Sequence, residues 1–84
     1  MTELTALVSL YPLGQDELSP AIDEAVRVFE AHELRVEVGA MSTLLVGDDA
    51  QLFAALHEAA ATAMRLGRMA MVITVSNACA VPEA

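Results

Sequence analysis

Leu34 to Asp48, LRVEVGAMSTLLVGD, is the stretch whose reading decides the fold. Leu34, Val36 and Val38 alternate with Arg35 and Glu37, the period of a half-buried strand. Gly39-Ala40-Met41 makes a bend. Leu44, Leu45 and Val46 follow as a second strand, more buried and less clearly alternating. Two strands folded on each other are marginal alone and need a wider sheet. Glu37, Ser42 and Thr43 place polar groups about the bend, where a purely structural hairpin could have used almost any residue.

Working outward, Ser19-Pro20 opens a helix before the hairpin. Ser19 can cap free N–H groups and Pro20 suits the first turn. Asp23 and Glu24 fall near its positive end. Ile22, Ala25, Val26 and Phe29 form an apolar stripe, Asp23 and Arg27 an i,i+4 pair, and the helix should stop near His32. Upstream of it, Glu3 to Tyr11 is a strand ended by the Pro12-Leu13-Gly14-Gln15 loop. Beyond the hairpin, Gly47-Asp48-Asp49 caps a second helix from about Ala50 to Leu66, with Leu52, Phe53, Leu56, Ala60, Ala63 and Met64 on its apolar side and Gly67 as C′ residue. Met69 to Asn77 is the last strand, its β-branched centre fitting a central or well-covered position. Residues 1–78 are expected to form one domain and 79–84 a loose tail that holds Pro82.

The order is β-α-β-β-α-β. Right-handed crossovers then give two split βαβ units: an α+β, ferredoxin-like sandwich, with a four-stranded antiparallel sheet and both helices on one face. Strand order 4-1-3-2 follows. No internal sequence repeat is evident.

The totals bound what such a domain can do. A chain of 84 residues buries roughly 60–65% of its unfolded surface, a thin core. Its 56% hydrophobic content exceeds that of an average soluble domain, which suggests a face covered only in an oligomer. No apolar run reaches the roughly 18 residues of a membrane span. The N-terminus carries Glu3 and no basic residue before Arg27, unlike a secretory signal. A soluble, cytoplasmic protein is expected. A net charge of −8, with no lysine, argues against nucleic acid and favours cationic ligands. The lone Cys79 excludes an internal disulfide and any multi-cysteine metal site. His32 and His57, on separate helices, read as surface residues without metal-ligand spacing. No nucleophile elbow, phosphate loop or dinucleotide fingerprint is present, and no nucleophile–base pair can be named.

Parity assigns the sheet's two faces. Toward the helices should point Leu4, Ala6, Val8 and Leu10; Leu34, Val36 and Val38; and Met69, Met71, Ile73 and Val75. The open face should carry Thr5, Leu7, Ser9 and Tyr11; Arg35 and Glu37; Thr43 and Leu45; and Val72, Thr74 and Ser76. Hydroxyls among Leu7, Leu45 and Val72 suit a face that packs on another subunit or holds a small ligand. By topology Ser9, Tyr11, Glu37, Ser42 and Thr43 converge at the bend end, while Ser76 and Asn77 fall at the opposite end, roughly 23 Å away along a seven-residue strand.

Three motifs carry a resemblance. VSLYPLG near the start, VEVGAMSTLLVGD, and MVITVSNA near the end resemble the small thiamine-binding (YkoF-like) family, over about residues 6 to 78 and in the family's order. The resemblance implies a ferredoxin-like fold, homodimers or homotetramers built through the sheet, and in some members binding of thiamine or its hydroxymethylpyrimidine portion. YkoF itself looks like two such domains in tandem, so pairing between chains would supply the second here. Carried over residue by residue, the motif positions are Tyr11, Glu37, Ser42, Thr43, Ser76 and Asn77. The expected function is non-enzymatic binding of thiamine or a precursor, without a cofactor or metal; the alternative is an oligomeric interaction or regulatory module with no small ligand.

Overall fold

The computed structural model describes residues 3–14, 19–39 and 42–78. The elements run β1 (Glu3–Pro12), α1 (Ser19–Ala31), β2 (Arg35–Val38), β3 (Thr43–Asp48), α2 (Asp49–Met64) and β4 (Met69–Ser76). They form one antiparallel sheet of order β2-β3-β1-β4, the ferredoxin-like plan, with the paired helices packed over one face. The tail with Cys79 and the bend residues Ala40 and Met41 lie outside the described residues, as does the capping expected of the Ser19 side chain.

The register explains why β1 does not stop at Tyr11. Pro12 stands opposite Met69, while the Leu13 N–H donates to the Arg68 carbonyl at 2.9 Å. Antiparallel ladders alternate bonded and non-bonded pairs, so Pro12 occupies a non-bonded position and its missing N–H costs no bond to β4. At the hairpin, the Gly39 N–H donates to the Ser42 carbonyl at 2.8 Å. A Cβ on Gly39 would sit at 3.0 Å from that carbonyl, so glycine permits the closure.

Phe29, Leu45 and Leu52 are the largest fully buried side chains, packed with Ala6, Val8, Val28 and Leu34. Several helix assignments shift against expectation. On α1 the buried stripe is Ala21, Ala25, Val28 and Phe29, while Ile22 and Val26 are only half-buried. Arg27 forks onto Glu24, at 2.6 and 2.8 Å from Nη2, rather than pairing with Asp23. On α2 the core line is Leu52, Ala55, Leu56, Ala59 and Ala63, and both Phe53 and Met64 are exposed. Apolar residues occur all round this helix, so its period alone did not choose the face; the small alanines allow the close approach. Asp48 is the N-cap of α2 but its carboxylate makes no capping bond, and its Oδ1 is buried with no hydrogen-bond partner. α2 ends at Met64, so Gly67, at φ 149°, lies beyond the C′ position. His32 Nε2 lies 2.7 Å from Glu58 Oε1 and ties the end of α1 to α2, and His57 is exposed.

Two corrections concern the sheet. Thr43 and Leu45 face the helices, not the open side: their partners are Val8 and Ala6 in β1, and they are 8% and 0% exposed. Leu44 and Val46 take the open face instead. Second, β4 is not well covered. It forms an edge of the sheet, and every residue from Val72 to Ser76 is exposed, on both faces.

Candidate functional site

The open face is built from rows of residues across the strands. One row is Arg35, Val46, Thr5 and Ser76; the next is Glu37, Leu44, Leu7 and Thr74; then Ser9 stands beside Val72, and Tyr11 beside Ala70. Continuing the β1–β3 register by one residue puts Ser42 next to Ser9, at the strand spacing of about 4.8 Å. Leu7, Leu44 and Val72 thus form an apolar floor. Ser9 and Ser42 border it toward the bend, Tyr11 stands at the end of β1, and Glu37 occupies the β2 edge.

Four of the seven sequence-derived site residues therefore share one end of one face: Ser9, Tyr11, Glu37 and Ser42. Thr43 does not join them, because its side chain enters the core. Ser76 and Asn77 lie at the other end. Ser76 pairs with Thr5, whose hydroxyl donates to the Ser76 carbonyl at 3.3 Å, and Thr5 is six residues, or about 20 Å, from Tyr11 along β1. The Ser76 hydroxyl accepts from the Ala78 N–H at 3.0 Å, fixing the turn after β4.

Glu37 has a partner that parity implied but the sequence reading passed over. Arg35 shares its face two residues earlier, and Arg35 Nη2 lies 2.8 Å from Glu37 Oε2. Both side chains are more than half exposed, at 66% and 51%, so water screens the pair and it contributes little to stability. The carboxylate stays available to a competing cation or amino group, with Arg35 poised beside it. Leu44 and Val46 were also missed as floor residues. No local signal could have found them, since Leu44-Leu45-Val46 does not alternate; the packing of Gly47 under Leu34 sets the parity of β3 only in the folded chain. Among the described residues, no group of three or more His, Cys, Asp or Glu could hold a metal ion.

Comparison with known proteins agrees with this architecture. The family described as "Thiamine-binding protein" matches residues 6–79. The UPF0045 protein MJ1052 of Methanocaldococcus jannaschii is 37% identical over 65 residues, which are 76% of this chain and 65% of that protein. The match thus spans just under two thirds of that relative's length. The crystal structure of MJ1052 superposes with a TM-score of 0.83 at 32% identity, covering 90% of this chain and 80% of that one. A Thermotoga maritima protein proposed to act in thiamine biosynthesis or salvage superposes with a TM-score of 0.77 at 20% identity, covering 87% and 81% of the two chains, a likeness of fold alone.

Proposed function

Because this chain belongs to the thiamine-binding protein family, we propose that it binds thiamine or the hydroxymethylpyrimidine portion of thiamine on the open face of its sheet, without catalysing a reaction. The observation that carries this reading is the meeting of Ser9, Ser42, Tyr11 and Glu37 around the floor of Leu7, Leu44 and Val72. An aminopyrimidine offers N–H donors to a carboxylate and ring nitrogens to hydroxyls, and its flat ring suits an apolar floor with an aromatic wall. Glu37 would exchange its exposed contact with Arg35 for the ligand's amino or cationic group. Tyr11 would pack against the ring, and Ser9 and Ser42 would exchange hydrogen bonds with it.

Leu7 and Val72 are exposed on this floor, which is too open to enclose a small molecule alone. A second copy laid on the face through the sheet would complete the walls, and could bring its own Ser76 and Asn77 to the bend end. The setting would be the cytoplasm; among the described residues no helix is long and apolar enough to cross a membrane.

Isothermal titration with thiamine, and separately with hydroxymethylpyrimidine, tests the proposal. Heat or a thermal shift at millimolar ligand is expected, and Glu37→Gln should weaken it while leaving assembly intact. Silence with both ligands would sink the binding claim. The exposed Leu7 and Val72 also favour a second reading, a pure interaction module. In that case Glu37→Gln changes nothing, whereas Leu7→Asp or Val72→Asp separates the subunits.

A further inference from the structure

The basic side chains of this chain are all arginines. Arg27 is held by Glu24 and Arg35 by Glu37. Arg65 and Arg68 stand together in the turn between α2 and β4. No Asp or Glu occurs from residue 59 to residue 82, so this turn heads a positive stretch in a chain of net charge −8.

The register puts Arg68 on the face that carries the candidate site. The open-face residues of β4 are Ala70, Val72, Thr74 and Ser76, and alternation carried back past Met69 adds Arg68. The ladder does extend that far, because the Leu13 N–H donates to the Arg68 carbonyl. Tyr11 stands opposite Ala70, so Arg68 is its diagonal neighbour, about 7–8 Å away between Cα atoms and within reach of a long side chain. Both residues are exposed. Among the described residues, the acids of the strands are Glu3 and Asp48 at the far end of the sheet and Glu37 at the β2 edge.

The site is therefore bipolar. Glu37 marks one corner and Arg68 the diagonally opposite one, with the apolar floor and Tyr11 between them. Three strand spacings across and six residues along separate their Cα atoms by about 25 Å, and the two side chains together reach over on the order of 10 Å of that. A single ring cannot touch both corners. A two-ring ligand with an anionic arm can.

We propose that the open face takes its ligand as a phosphate ester, with the phosphate on the Arg68 guanidinium and the pyrimidine toward Glu37. This rests on the thiamine reading. Thiamine ends in a hydroxyethyl arm, and a phosphate on that arm gives a molecule with an amino group at one end and an anion at the other. The planar fork of a guanidinium matches two phosphate oxygens. Arg68 engages another group already, so the phosphate competes for it, as the ligand's amino group competes at Glu37. Charges act over about 8–10 Å at physiological salt, so the phosphate senses Arg68 rather than Glu3 and Asp48 at the other end of β1.

Titration calorimetry of the full chain with thiamine and with thiamine monophosphate reads the subsite. The ester should bind about 10-fold more tightly than the alcohol, the effect of one charge-assisted hydrogen-bonded pair. Arg68→Gln should erase that gain and leave the affinities for thiamine and for hydroxymethylpyrimidine unchanged, with the melting curve retained. Arg65→Gln removes the same charge from the same turn, but from the C-cap of α2 in the helix layer, and should keep most of the gain. Equal affinity for thiamine and its ester in the wild type, a gain that survives Arg68→Gln, or equal losses in the two variants would each overturn the proposal. The wild-type comparison of ester and alcohol stands even if a variant fails to fold. Thiamine binding with no gain for the ester sinks the phosphate subsite alone, whereas silence with thiamine and ester alike sinks the ligand reading with it.

Discussion

Glu33 is the one non-glycine residue among those described that sits at positive φ, at 61°, where it ends α1. For a side chain with a Cβ this region costs about 1–2 kcal/mol, and glycine is the usual occupant after a helix. Glu33→Gly is therefore expected to stabilise the protein by about 1 kcal/mol, read as a Tm increase of roughly 4–8 °C for a domain of this size. No change or a decrease would show that the Glu33 side chain contributes more than its backbone costs. Gly47 answers to a different cause. A Cβ there would drive into the Leu34 side chain, so Gly47→Ala should cost about 1–3 kcal/mol in chemical denaturation. Leu34→Val in the same chain should recover part of the loss; strict additivity would show that the two residues do not share the space. Neither effect is visible in a residue pattern, since φ and close approach are properties of the folded backbone.

At the scale of elements, the type and order of all six were legible because alternation, proline and glycine mark them locally, while some ends moved: β1 runs on to Pro12 and α2 stops at Met64, two residues short of Leu66. Which face each element buries was less so. On β3, Leu44-Leu45-Val46 has no alternation, and the hydroxyl of Thr43 looked like a surface group until Val8 and Ala6 paired with Thr43 and Leu45. On α2, alanines rather than the larger Phe53 and Met64 form the contact, because the sheet lies close beneath. The consequence is an inversion of the usual size order. Leu52→Ala should destabilise by about 2–5 kcal/mol, while Phe53→Ala should cost less than about 1 kcal/mol. Thr43 gives the matching functional contrast. If ligand lies on the open face, Thr43→Val should leave affinity unchanged, whereas Ser42→Ala removes one hydrogen bond, about 0.5–1.5 kcal/mol, or a roughly 2- to 10-fold loss by calorimetry. A loss of affinity in Thr43→Val without loss of stability would put the ligand on the helix side.

For the whole molecule, net charge bears on the proposed ligand site. A surface of net charge −8 attracts a fixed cation over distances longer than any contact, and salt shortens that reach to about 8–10 Å at physiological strength. Thiamine carries a permanent thiazolium charge, while hydroxymethylpyrimidine has no fixed charge and keeps only the groups that meet Glu37 and the serines. Raising salt from about 0.05 M to about 0.5 M should thus weaken thiamine several-fold and leave hydroxymethylpyrimidine nearly unaffected. Titration calorimetry of the two ligands in a salt series separates the terms. Equal salt dependence for both ligands would mean that recognition rests on the pyrimidine alone, with Glu37 acting as a hydrogen-bond acceptor rather than as a counter-ion.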